Sequence, residues 1–294
     1  MSNKRIFYAC QSVAVGGTEL RGVQAVGINT TFNLEQVFEI GMLNIYQNVE
    51  NLPTVEITIE KVLDGHPLVY SRATATAATR KLIDCANAVC TVSLAIVDDT
   101  REAATGTVTA KCQITGAVVT QVSYKISVEG NATEQVTLLA NNKTWGQGHS
   151  PAMSPTGVPN PTVIRRQDLG SCTFPSNIPG SAKYQSITTT ANIQREDILE
   201  LGTKRPFFKY AKFPIEVTTE FEIIAQTGDL VNVYDNQNNT TDQTIVLDLG
   251  GGAAIDLGVK NRLQSVNYQG GGTDGGNATI VYSYRTFNDF TVGS

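Results

Sequence analysis

The chain has 294 residues, is 41% hydrophobic and 17% charged, and carries a net charge of −5. This length suits two domains of about 120–150 residues and can bury roughly 75% of the unfolded surface, so no disulfide or metal staple is required. The mild acidity and the lack of a basic stretch exclude tight nucleic-acid binding by counterion release, but are compatible with a surface along which nucleic acid slides without sticking.

From the N-terminus, Lys4-Arg5 is followed by no long apolar run, so no secretory signal is expected. No window approaches 18 apolar residues, so no membrane-spanning helix is expected. The first half is dominated by alternation of period two. In Thr54–Val62, Val55, Ile57 and Ile59 fall on one face and Glu56, Thr58 and Glu60 on the other, the pattern of a half-buried antiparallel strand. Thr91–Val97, Thr107–Ile114 and Val118–Val128 also read as strands, with a hairpin expected at Thr115-Gly116-Ala117. Helical signal is sparse. The alanine-rich stretch from Ser71 to Ala88 predicts one short helix near Thr79–Ala86. Leu34–Ile40 and Arg195–Leu201 are each expected to form a helical turn ended by Gly41 and Gly202.

Between about Asn141 and Ala182 the composition shifts to Pro, Gly and Ser, which predicts a linker or extended arm. Strands are expected again at Thr188–Arg195, Phe213–Ala225 and Gln243–Leu249, with a turn at Gly250 and another strand at Ile255–Leu257. Leu263–Tyr268 and Thr279–Arg285 should close a hairpin around the glycine-rich tip 270–276. The expected architecture is mainly β: two tandem antiparallel domains, 1–145 and 183–294, joined by a Pro/Gly-rich segment 146–182.

The two halves are related. At a constant offset of 161 residues, Gln24 falls on Gln185, Glu35 on Glu196, Glu39 on Glu200, Gly41 on Gly202 and Pro53 on Pro214. Val26 meets Ile187, Val37 meets Ile198 and Ile40 meets Leu201, so apolar matches apolar; beyond the proline the register slips. This is the mark of a tandem duplication, and chains built so often belong to symmetric assemblies.

Chemistry is hard to find. His66 lies in the turn Asp64-Gly65-His66-Pro67 and His149 in the proline-rich segment, where solvated turn residues are expected. The glycine runs lack the strand–GxxxxGK[ST]–helix context of a phosphate loop. Asp98-Asp99 reads as a loop, and paired carboxylates there or at Glu196-Asp197 suggest no catalytic set. Five cysteines, Cys10, Cys85, Cys90, Cys112 and Cys172, are an odd number, read as reduced thiols or at most one functional disulfide. No catalytic residue, cofactor site or metal site is expected, and the chain reads as a non-enzyme. Glu39 and Glu200 recur directly before or near the repeated glycine, which suggests an interdomain salt bridge, a capping role or simply a solvated charge.

The second copy, Ile198-Leu199-Glu200-Leu201-Gly202 through Phe213-Pro214-Ile215-Glu216-Val217-Thr218, Phe221-Glu222 and Gly228-Asp229, resembles tail tube proteins of tailed bacteriophages. The first copy is similar in outline, with Glu39-Ile40-Gly41, Tyr46, Leu52-Pro53 and Asp64-Gly65, but has Asn44-Ile45 where the second has Arg205-Pro206. The resemblance implies tube-like β-sandwich or partial-barrel domains, each with a short flanking helix. Such domains form rings that stack into the conduit for genome delivery, and a duplicated chain needs only three copies for a pseudo-hexameric ring. It also implies a virion protein of the phage tail, assembled in the host cytoplasm. Its partners would be further copies of itself and other tail proteins (sheath, baseplate hub, terminator), with double-stranded DNA passing through without specific binding. Glu56, Glu60 and Glu222 are the expected lumen-facing carboxylates, from strand alternation, and Glu39, Gly41, Pro53, Glu200, Gly202 and Pro214 the structural signature of the repeat. The alternatives are a tail hub or terminator, and a two-domain β-sandwich adhesin or carbohydrate-binding module. An adhesin should present an aromatic platform, and the single tryptophan, Trp145, sits beside the linker.

Overall fold

Alternation along Thr54–Val62 translates directly into structure. Val55, Ile57 and Ile59 are buried on one face of the strand, Glu56 is exposed and Thr58 and Glu60 are half-buried on the other. The structure, a computed structural model, describes residues 6, 8–75, 77, 80–97, 108–146, 162–229, 231, 241–250, 253–272 and 276–293. The protein is mainly antiparallel β, as the sequence predicts.

The first half runs β1 (Gln11–Val15), β2 (Thr18–Glu19), β3 (Val23–Thr31), β4 (Leu34–Phe38), β5 (Ile45–Glu50), β6 (Thr54–Val62), α1 (Val69–Ala73), α2 (Leu82–Cys85), β7 (Val89–Val97), β8 (Val108–Ser127), β9 (Thr133–Ala140) and β10 (Lys143–Gly146). The second runs β11 (Lys183–Asn192), β12 (Arg195–Ile198), β13 (Phe208–Ala211), β14 (Glu216–Ile224), β15 (Val246–Asp248), β16 (Ala254–Asp256), β17 (Arg262–Gln269), β18 (Thr279–Phe287) and β19 (Thr291–Gly293).

β8 organises the molecule. Its first part pairs with β7 on one edge and β10 on the other, and its second part with β9 and β11. The hairpin expected at Thr115–Ala117 is therefore not formed. Gly116, with φ of 69°, lies within this single strand of 20 residues, near the point where β8 exchanges partners. Through the second part of β8 the ladders run β3-β6-β9-β8-β11-β14-β18-β17, a continuous antiparallel array spanning both halves. One connected apolar core follows it, including Ile57, Ile59, Val122, Val136, Phe221, Tyr282 and Tyr284. Phe290, at the end of the second half, lies 5.8 Å edge-on from the ring of Tyr70 in the first half.

Helix α2 lies within the predicted 79–86, while α1 was not foreseen; both belong to the first half. The turns expected at Leu34–Ile40 and Arg195–Leu201 are not helical. Both segments begin hairpins, β4–β5 and β12–β13. The apolar residues there meet no core that would impose a helical period. In the proline-rich segment, residues 147–161, with His149, lie outside the described residues, as does Asp98-Asp99. Residues 162–182 pack on the body: Ile164 and Ile178 are buried, and Phe174 stacks on Tyr184 with centroids 4.3 Å apart.

Candidate assembly surfaces

The duplication persists in three dimensions down to single hydrogen bonds. Each copy is a long strand, a projecting hairpin arm and a second long strand: β3, β4–β5, β6 and then β11, β12–β13, β14. In the arms, Glu35 pairs with Val49 as Glu196 pairs with Tyr210, and Gln36 with Asn48 as Asp197 with Lys209. The arm bases close alike, Asn51 N–H donating to Asn33 C=O at 2.8 Å and Lys212 N–H to Gln194 C=O at 2.9 Å. The tips match as well. Met42 N–H donates to Glu39 C=O and Thr203 N–H to Glu200 C=O, with Gly41 and Gly202 at φ of 94° and 87°. Positive φ at the third residue of such a turn is the reason for glycine. The repeated acidic residues thus serve these turns through their backbone carbonyls; both side chains are exposed. Pro53 and Pro214 stand just before β6 and β14, where a missing N–H costs no ladder bond.

A β-bulge is duplicated too. The β3–β6 register shifts between Val23 and Ala25, and β11–β14 shifts between Tyr184 and Ser186. The bulged residues are Gln24 and Gln185, and each side chain donates to the carbonyl two residues earlier, at 3.3 Å. A second bulge recurs at Thr120 in β8–β9 and Gln264 in β17–β18. Because bulges set twist and register, their recurrence identifies equivalent strands more firmly than residue identity does. β8 from Val119 to Lys125 corresponds to β17 from Leu263 to Gln269, and β9 corresponds to β18.

The array has two unlike faces. One packs the core. The other carries Glu56, Thr58 and Glu60 on β6, Gln121, Ser123 and Lys125 on β8, Thr188 and Thr190 on β11, and Thr218, Glu220 and Glu222 on β14. Strand pairing places all three carboxylates singled out from sequence on this polar face, where Glu60 and Glu222 occupy one repeated position. Glu222 accepts a hydrogen bond from Ser186 Oγ at 2.9 Å, and Glu216 pairs with Arg285 at 2.7 Å.

The arms are the apolar surface. Phe32, Leu34, Phe38, Ile40, Met42, Leu43 and Tyr46 are exposed on or beside the first, and Leu199, Leu201 and Phe207 on the second. Exposed apolar residues gathered on one element make these arms candidate contact surfaces. The second arm already rests on the body. Arg195 donates to Val119 C=O, Ala211 N–H donates to Asn87 Oδ1 at 2.8 Å, and Lys204 Nζ lies 3.8 Å from Glu50 Oε2 at the base of the first arm. Burial lowers the Arg195 pKa to about 10. A cleft of about 750 Å³, lined by Asn33, Glu50, Leu199 and Thr203 among others, runs between this tip and that base.

Among the described residues no group of three or more His, Cys, Asp or Glu is placed to hold a metal ion, and no helix is long and apolar enough to cross a membrane. His66 is half-buried and its backbone N–H donates to Asp64 Oδ1 at 3.2 Å. None of the five cysteines is disulfide-bonded, and burial pushes Cys90 up to about 12.

No protein-family model matches the chain, and no curated protein does. Among solved structures it is similar to the tube terminating cap of the anti-feeding prophage, known from cryo-electron microscopy, at 13% identity and a TM-score of 0.38, over 50% of this chain and 95% of that one.

Proposed function

We propose that this protein is a structural component of a phage-type tail, three copies of which close a pseudo-hexameric ring, the rings stacking into a tube that conducts the genome. The observation that carries the reading is the duplicated strand–arm–strand unit, repeated with its bulges, turns and arm registers, since a chain carrying two equivalent units presents six to a threefold assembly. Two further features support it. The polar face, with Glu56, Glu60 and Glu222, suits a wet lumen that repels DNA phosphates. The exposed apolar arms suit contacts between subunits and between rings. In this reading the role is structural rather than catalytic, the site of action is the virion tail after assembly in the host cytoplasm, and the partners are further copies and neighbouring tail proteins.

The test is light scattering with negative-stain electron microscopy over a concentration series. Three chains of 31.6 kDa form a ring of about 95 kDa, and stacked rings with a central channel are expected. Isolated rings that never stack would favour a terminator or hub. Monomers at every concentration, with binding to a glycan array, would favour the adhesin. The double variant Ile40→Ser/Leu43→Ser should lose polymerisation while its stability stays within about 0.5 kcal/mol of the parent, because both side chains are fully exposed.

A further inference from the structure

The two ends of the continuous array are bare. Among the described residues, β3 pairs only with β6 and β17 only with β18. Each presents a long row of unpaired backbone groups, a feature that natural sheets cover or blunt. The duplication identifies what fits them. β3 is the equivalent of β11, and β17 is the equivalent of the second part of β8; inside the chain, β8 and β11 are paired. We propose that β17 of one copy pairs antiparallel with β3 of the next, in the register of the internal β8–β11 ladder. The proposal rests on the ring reading and deepens it by assigning the residues of the joint.

Internally, Gln121 pairs with Asn192, Val122 with Ala191, Ser123 with Thr190, Tyr124 with Thr189 and Lys125 with Thr188. Carried through the two equivalences, Ser265 meets Thr31, Val266 meets Thr30, Asn267 meets Asn29, Tyr268 meets Ile28 and Gln269 meets Gly27. The faces agree throughout. Ser123 and Thr190 share a hydroxyl hydrogen bond of 3.1 Å on the polar face, and their counterparts are two asparagines, which can bond in the same way. On the core face, Tyr268 would meet Ile28 and Val266 would meet Thr30.

Exposure points to the same joint. Tyr124, beside β11, is 2% exposed, whereas its counterpart Tyr268 at the bare edge is 53% exposed. Ile193, whose N–H donates to the bulged Thr120 C=O at 2.7 Å, is 2% exposed; its counterpart Phe32 is 71% exposed. Phe32 N–H would donate to Gln264 C=O in the same manner. The arms follow suit. Lys204 at the second tip reaches Glu50 within the chain, and the equivalent pair between copies is Leu43 over Ala211, an apolar contact in place of an ionic one. Because each copy offers both edges, the contact is head-to-tail and can close a ring.

Cysteine cross-linking of the full chain tests the register. Paired residues in an antiparallel ladder bring Cβ atoms to about 4.5–5.5 Å, within disulfide reach after small adjustment, while diagonal neighbours lie about 7–8 Å apart. Asn29→Cys/Asn267→Cys is in register; Asn29→Cys/Ser265→Cys is displaced by two residues on the same face. After mild oxidation at ring-forming concentration, the first is expected to yield disulfide-linked dimers and closed trimers on a non-reducing gel, at least tenfold more than the second or the parent. Equal yields from the two variants, or tubes visible by microscopy with no cross-link in the in-register variant, would overturn this joint while leaving the tube reading intact. Absence of rings from parent and variants alike would overturn both.

Discussion

The two halves build one scaffold around different interiors. In the first, Lys61 is fully buried against Asp64. Nearby, the buried Glu134 accepts hydrogen bonds from Val69 N–H at 2.7 Å, Tyr70 N–H at 3.0 Å and Tyr124 Oη–H at 2.8 Å. In the second half the same strand positions hold Ile223 and Ile280, both buried. There the core is aromatic instead, with Phe221 edge-on to Phe174, Tyr184 and Tyr284 at centroid distances of 5.8–6.1 Å. In the first half the buried carboxylate has a structural task. Helix α1 begins at Val69, and Leu68 before it supplies no side-chain cap, so the carboxylate of Glu134 takes the orphan N–H groups. The duplicated copies share their ladder registers and bulges, not the chemistry of the interior.

The largest effect is expected at Glu134. Glu134→Ala would leave three buried donors without an acceptor, each costing about 1–3 kcal/mol, so a loss of about 5 kcal/mol in chemical denaturation is expected. On the aromatic side, Phe221→Ala should cost about 4 kcal/mol, the range for deleting a fully buried phenyl ring, with binding of a small apolar ligand to the cavity as a second readout. Should the two losses prove additive in the double variant, the interiors act independently despite their shared sheet.

The buried carboxyl of the first half also makes stability depend on pH. Burial raises the Glu134 carboxyl above its ordinary value, against the opposing pull of its three donors and Lys61. The folded state therefore holds a proton in a range where the unfolded carboxyl, ordinarily near pH 4.3, has lost it. Its contribution to stability is complete below the unfolded pKa and is lost as pH rises through the folded one. Glu134→Gln should flatten that decline, and an unchanged slope of unfolding free energy against pH would exclude Glu134 as its source. The smallest effect is expected at the repeated bulge: Gln24→Ala and Gln185→Ala should each cost about 0.5–1 kcal/mol, and similar values in differential scanning calorimetry would show the two copies to be energetically as well as geometrically alike.

Strands with one buried face can be read from residue order alone. β6 and the β17–β18 hairpin are legible because burial on one side imposes a period of two, and the duplication is legible because Gly41 and Gly202, required by turn geometry, and Pro53 and Pro214, set where no ladder bond is lost, recur at matching places. The arms depart from the helical expectation, since Leu34–Phe38 and Glu196–Ile198 are exposed and no core selects their period. Gly116 misled for a different reason: a glycine between two alternating runs looks the same whether the chain reverses or continues as one strand. Only the tertiary structure decided that β8 runs on and pairs with β11, because a ladder between residues about 65 apart depends on which edges remain open after local pairing, and no local pattern encodes that. It also decided that Lys61, which the alternation of β6 places on the core side, is held there by Asp64, a partner from the following turn.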